Sequence, residues 1–477
     1  MILKSNVTLY IEAGATLLGS TRLSDYTPQP GPDPMADANQ RHLVFARDAR
    51  NIGLAGPGRI DGQGSAFWTH QPRGPVPEEL RWRDALHSDW KHGERVSPMI
   101  ELVGCSDVRI DGLTITGASG WTMRPINCTR VFISGIHLTN PYHGPNTDGI
   151  DATGCQDMMI SDCVIDTGDD AICLKSENPY GGEARLTRNV TVTNCVISSS
   201  TNGFKIGTAT QGEFENIVFS NSVIHHGDRP LNERSIAGIA LEMADGGWLE
   251  GVIIAGIQIQ RARAPLFIRR GNRSNAGRHP QSRLRGITIE GLRATGAVVT
   301  SSITGLPGMP VEDVRLSDIS IDTVMPGRAA WIADPVPEAE AKYPEPRALG
   351  WLPASGLFCR HVRGLTMRDV SFSAPVEEYR TTVLLDDVQD ATLAGLRASP
   401  VRNGLPVLTC VSTRELRLSG AVAPVGSQAL LEVRGAANRD LLVTGCDLRA
   451  AGRVATGDVA AVQAEFNSTA PSNPAAS

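Results

Sequence analysis

The sequence predicts an all-β fold, a single-stranded parallel β-solenoid of about ten or more coils. A recurrent phrase is the first reason: apolar-x-apolar-x-Gly/Asn/Asp-apolar-x-apolar. Composition is the second, with 49 glycines among 477 residues and only 5% aromatic residues, which suits short strands joined by tight turns. The third is that no amphipathic helical stretch separates the copies, which excludes alternating strand–helix units.

The phrase runs from Val108 through Ile110, Asp111, Gly112 and Leu113 to Ile115. It returns at Val131 to Leu138, Met158 to Ile165, Val190 to Ile197, Ile217 to Ile224, Val252 to Ile259 and from Ile287. Weaker copies start at Val314, Leu365, Thr392, Leu416 and Leu441. Apolar and polar residues alternate with period two, so each half of the phrase is a half-buried strand. The central Gly, Asn or Asp supplies the positive φ or the side-chain hydrogen bond of a tight bend. Two short strands around a bend cannot close a core alone, but stacked copies bury a continuous one.

The copies assign residues 1–466 to one β-helix domain. Two stretches interrupt them, Ser65 to Val96 with Trp68, Trp82 and Trp90, and Ala329 to Pro353 with Trp331 and Trp351. Both read as long loops that shape a cleft on a rigid frame. The small, polar tail 467–477 reads as disordered. Nine cysteines cannot all pair. Cys105, Cys128 and Cys155 recur at one offset before a strand, and Cys163 and Cys195 before Val-Ile, which predicts stacked structural thiols. No paired CxxC spacing suggests zinc, and neither a metal nor another cofactor is expected.

A net charge of −6 offers no broad attraction for nucleic acid or an anionic membrane. No apolar run of about 18 residues spans a bilayer. Ser5 to Tyr10 already reads as a strand, and no signal peptide is visible ahead of it. The compartment is therefore left open, and a monomer is expected.

Two acidic phrases carry the chemistry: Asn146-Thr147-Asp148-Gly149-Ile150-Asp151 and Gly168-Asp169-Asp170-Ala171. They lie one coil apart, so stacking brings Asp148 to the Asp169–Asp170 pair at about the 4.8 Å strand spacing. Crowded carboxylates repel, and at least one proton should be retained near neutral pH. One protonated and one ionised carboxyl are what acid-assisted glycoside cleavage needs. Asp151 reads as a turn cap.

These phrases resemble the Asn-Thr-Asp and Gly-Asp-Asp blocks of the polygalacturonase family, glycoside hydrolase family 28. Ser5 to Ser20 and Gly56 to Gly64 with Phe67 and Trp68 resemble early segments of that family, and similarity covers most of residues 1–270. The resemblance implies a right-handed β-helix and inverting hydrolysis of α-linked galacturonate in pectin. It makes Asp169 the general acid, Asp148 and Asp170 the residues that activate water, and Asn146 a supporting residue. Acid and base carboxyls of an inverting enzyme are expected roughly 6.5–9.5 Å apart. The family also implies a cap and at least one coil upstream of Met1, and hence an expected start, with a signal peptide, upstream of this one.

Two departures stand out. Asn202, in Asn202-Gly203-Phe204-Lys205, replaces the His of the family's Gly-His-Gly block. Ser235 to Glu242 carries no counterpart of its Arg-Ile-Lys block, which holds the substrate carboxylate. Lys205 is a candidate to bind a carboxylate or tune the Asp residues, against a solvated surface Lys. Lys175 matches a family position or simply pairs with an acid. Glu242 accepts from a sugar hydroxyl or pairs with Lys205. Arg269 is a candidate carboxylate grip about two coils on, whereas Arg270 and Arg273 read as solvated. The expected partner is a pectin-type polysaccharide or oligosaccharide, galacturonate- or rhamnogalacturonan-derived. Trp82, Trp90 and Trp351 are candidates to close one cleft end for exo action. The competing readings are a β-helix polysaccharide lyase and a non-catalytic carbohydrate-binding solenoid.

Overall fold

A computed structural model describes all residues except 31–38, 85, 181, 274–281, 401–403 and 470–477; the tail beyond Thr469 thus lies outside the described residues. The chain forms two compact units, Met1–Arg263 with Asn272–Ser282, and Ala264–Gly271 with Arg283–Ser477. Each is a stack of parallel β-coils.

In the first unit a coil has three strands, not the two that the phrase suggests. One coil comprises Ile100–Val103, Ser106–Asp111 and Thr114–Thr116, and the next Met123–Ile126, Thr129–Ser134 and His137–Thr139. Then follow Ile150–Thr153, Gln156–Ser161 and Val164–Thr167, and below them Ile172–Ser176, Thr187–Thr193 and Val196–Ser199. In later coils the second and third strands merge, as in Phe214–His225 and Trp248–Gln260.

Register follows the phrase: Val108, Val131, Met158, Val190, Ile217 and Val252 pair in succession. All are buried, each worth about 1.5–3 kcal/mol on leaving water. The central positions Gly112, Gly135, Asp162, Asn194, Asn221 and Gly256 all have positive φ, from 48° to 74°, and Asn194 Nδ2 donates to Asp162 Oδ1 one coil away at 3.3 Å. All nine cysteines are buried free thiols.

In the second unit Ile287, Val314, Leu365, Ala391, Leu416 and Leu441 pair in register. The copy read as starting at Thr392 therefore starts one residue earlier. Ala391 is the buried member, and Thr392 faces out.

Candidate active site

Asp148 ends the turn 140–149 between His137–Thr139 and Ile150–Thr153, and Asp169 and Asp170 lie in the next such turn, before Ile172–Ser176. Ile150 pairs with Ile172, and Ile172 with Phe204. Asp148, Asp170 and Asn202 each stand two residues ahead of those partners, so they occupy successive rungs. Gly149 N donates to Asp170 O at 2.8 Å, and Ala171 N to Asn202 O at 2.9 Å. The turns approach too closely for side chains at two positions. A Cβ on Gly149 would meet Ala171 O at 2.4 Å, and one on Gly168 would meet Pro141 O and Thr147 Oγ1 at 2.5 Å.

The stacking brings one carboxylate oxygen from each of Asp148, Asp169 and Asp170 within 4.8 Å of the others. These nearest oxygens are closer than the separation expected between acid and base of an inverting enzyme. The cause is the register, because residues on adjacent rungs are held at about the 4.8 Å strand spacing. Such a cluster also suits a cation, but here side-chain ammonium groups supply positive charge.

Lys205 Nζ donates to Asp170 Oδ2 at 3.0 Å and lies 3.5 Å from Glu242 Oε2. Only 2% of Lys205 is exposed, so it is no solvated surface lysine. Asn202 Nδ2 donates to Asp170 Oδ1 at 2.6 Å, and Thr201 Oγ1 donates within 2.8 Å of Asp169 Oδ1 and 2.9 Å of Asp170 Oδ1. Burial alone would raise the Asp170 pKa, but Lys205, Lys175 and the Asn202 hydrogen bond outweigh it and hold Asp170 below the usual carboxylate range. Asp148 goes the other way. Burial first, then Asp151 and Asp169, push it well above that range. Asp169 keeps a partly exposed side chain, whereas Asp148 and Asp170 are buried. Of the three carboxyls it is the one a ligand can reach.

Asp151, read as a turn cap, instead sits inside strand Ile150–Thr153, fully buried and bonded to the Lys175 ammonium. The Lys175 ammonium also lies 4.0 Å from the Trp121 ring centroid. Asn146 adopts a left-handed conformation, φ 52°, and its Oδ1 accepts from Arg95 Nη2 at 3.2 Å. Arg95 Nη1 further holds Pro145 O at 2.7 Å and Ser119 O at 3.0 Å. Sequence reasoning missed Arg95, because nothing local sets it apart from other loop arginines.

The long loop inside residues 65–96 packs on the turn that carries Asp148. Trp68 Nε1 donates to Ser119 O at 2.8 Å, and Trp90 stacks on His143 at 4.4 Å. Arg263 Nη1 ties this loop through Trp82 O at 2.9 Å. Arg269 is not in the cluster. It belongs to the second unit, where its guanidinium is engaged by Gly305 O at 3.0 Å and by Glu338 O. Arg270 is buried and holds Pro310 O at 3.0 Å, and Arg273 pairs with Asp245 at 2.6 Å, so neither is the solvated arginine expected. Trp351 likewise belongs to the second unit, stacked on Trp331 at 4.0 Å.

Fold and site together define a parallel β-helix protein with a convergent carboxylate cluster. The match is more specific than that: the model of Glycosyl hydrolases family 28 matches residues 16–333, and the chain belongs to that family. The match extends past residue 270, where the resemblance in sequence thins.

A probable polygalacturonase of Vitis vinifera is 23% identical over 67% of this chain and 63% of its own length. A polygalacturonase of Ralstonia solanacearum is 25% identical over 55% of this chain and 54% of its own. This chain spans less than two thirds of each. Among solved structures, the Thermotoga maritima exopolygalacturonase is 22% identical with a TM-score of 0.51, over 68% of this chain and 76% of its own. The Yersinia enterocolitica family 28 exopolygalacturonase is 17% identical with a TM-score of 0.54, over 87% and 70%. At these identities the structures show the shared fold.

Proposed function

We propose that the protein hydrolyses glycosidic bonds in a pectin-type polysaccharide or oligosaccharide, galacturonate- or rhamnogalacturonan-derived. The observation that carries this is the division of labour among three convergent carboxyls. Asp169 is reachable and protonates the leaving oxygen. Asp170, held ionised by Lys205 and Asn202, takes the proton of the attacking water. Asp148, its pKa raised by burial and by its acidic neighbours, is the second contact that orients that water. General acid–base assistance of this kind contributes about 10²–10⁴-fold in rate.

Inversion rests on the family resemblance, since the close carboxylates do not favour it on separation alone. Nuclear magnetic resonance of the first-formed anomer decides it. Exo action is supported by the loop whose Trp68 and Trp90 rings pack on His143 of the Asp148 turn. Monosaccharide or disaccharide as the earliest product tests that. For the hydrolase itself, the test is product analysis on polygalacturonan, rhamnogalacturonan and their oligomers, wild type beside Asp169→Asn. Saturated sugars released only by the wild type support it. Products absorbing in the ultraviolet would make the protein a lyase, and binding without release would make it a carbohydrate-binding module.

A further inference from the structure

We infer that the sugar seated over Lys205 and Glu242, next to the scissile bond, is neutral and not a uronate. This rests on the hydrolase reading above. A uronate carboxylate needs a cation with donors to spare. On the outer face of the first-strand stack, from Ile100–Val103 to Ala237–Met243, the described cations are Arg124, Lys175 and Lys205, and each is committed to an acid of the protein. Arg124 holds Glu101 Oε1 through Nε at 2.9 Å and Nη2 at 2.5 Å, and Gln40 Oε1 at 3.2 Å. Lys175 holds Asp151 and covers the Trp121 ring. Lys205 spans Asp170 and Glu242. None of the three side chains is more than 9% exposed.

Beside that face, Arg95 is bonded to two carbonyls and Asn146. Arg229 pairs through Nη2 with Asp166 at 3.1 Å over the Tyr142 ring and keeps Nη1 without an acceptor, but it stands at the third strand and not over the first-strand face.

A uronate at this subsite would therefore have to draw Lys205 away from Asp170, the group that Lys205 keeps ionised. Its own charge would then face Glu242 and Asp169 with less compensation. A hydroxyl meets the opposite reception. Asn202 Nδ2 is fixed on Asp170, which leaves Asn202 Oδ1 buried and without a hydrogen-bond partner. An amide oxygen in that state accepts from an O–H and repels a carboxylate. The site thus offers acceptors where a charged sugar would require donors.

The test compares kcat/KM on three probes of equal length: an oligogalacturonide as free acid, the same oligomer fully methyl-esterified, and an oligomer alternating uronate with a neutral sugar. One of the two probes that place no charge at the subsite should be cleaved at least about tenfold faster than the free acid, a difference of about 1.4 kcal/mol. The gap should narrow as added salt screens the repulsion. Glu242→Gln should also narrow it, by releasing Lys205 from one of its two acids. Free acid cleaved as fast as the others, or faster, overturns the inference and leaves the hydrolase reading standing. No cleavage of any probe overturns both.

Discussion

In the coils that carry the site, the first and second strands share one backbone spacing yet treat their outward side chains in opposite ways. On the second strand Val108 and Ile110 are buried, while Asp107, Arg109 and Asp111 stand in water. On the first strand Glu101, Arg124, Asp151, Lys175 and Lys205 are all buried, as completely as the apolar residues beside them. An outward charge on the second strand keeps its hydration. On the first it loses several kcal/mol of hydration and recovers this only through a well-placed partner. Hence the pairs Glu101–Arg124, Asp151–Lys175 and Asp170–Lys205. A frame needs no such pairs to stand, since well-packed apolar residues often serve as well. The row of matched charges ends at the three crowded carboxylates.

Breaking this contrast at its chemical end should have the largest effect. Asp169→Asn is expected to lower kcat about 10²–10⁴-fold with an unchanged melting temperature, read by steady-state kinetics beside thermal unfolding. Lys205→Met should come next. It leaves Asp170 and Glu242 buried without their shared cation, at a loss of about 3–5 kcal/mol in chemical denaturation. Because Lys205 holds the Asp170 pKa down, its removal raises that pKa, and the acid limb of the kcat profile should move to higher pH. An unmoved limb would assign the base to another group.

Asp148→Asn sharpens the comparison, because function and stability should part. The folded pKa of Asp148 is raised, so its ionised form disfavours the native state. The variant should match the wild type at a pH below the ordinary carboxylate range. Above it, the variant should be the more stable, with a gain that grows until the pH passes the folded value, while activity is lost. Trp90→Ala, which removes the stack on His143, should raise KM by the equivalent of about 0.5–1.5 kcal/mol. On the water-facing side of the second strand, Met159 is 48% exposed. Met159→Ser should shift unfolding by no more than about 0.5 kcal/mol.

The same contrast explains what the sequence made legible. The second and third strands alternate cleanly, so Val108–Ile110 and Leu113–Ile115 announce themselves, as do the left-handed bends at Gly112 and Asn194. The first strands do not. Ile150-Asp151-Ala152-Thr153 is buried on both faces, and no period-two signal survives when outward positions are as dry as inward ones. This is why Asp151 passed for a turn cap and a third of each coil went unread. The two acidic phrases were visible because one coil separates them. The couplings Lys205–Glu242 and Arg95–Asn146 were open only as guesses or not at all, since they join residues that local pattern cannot relate. Arg269 misled for the same reason, because its partners, Gly305 and Glu338, are backbone carbonyls far along the chain.

The bends between second and third strands keep one length from coil to coil: residues 112–113, 135–136, 162–163 and 194–195. The connections from third strand to the next first strand do not. They run over 117–122, 140–149 and 168–171. One of the three corners of the winding is thus a fixed hinge line and another a free margin. Residues can be added or lost along that margin without changing which strand meets which. A lineage with this frame can lengthen or trim the rim of its cleft, and so redraw the outline its ligand must match, while the three carboxylates stay on their rungs.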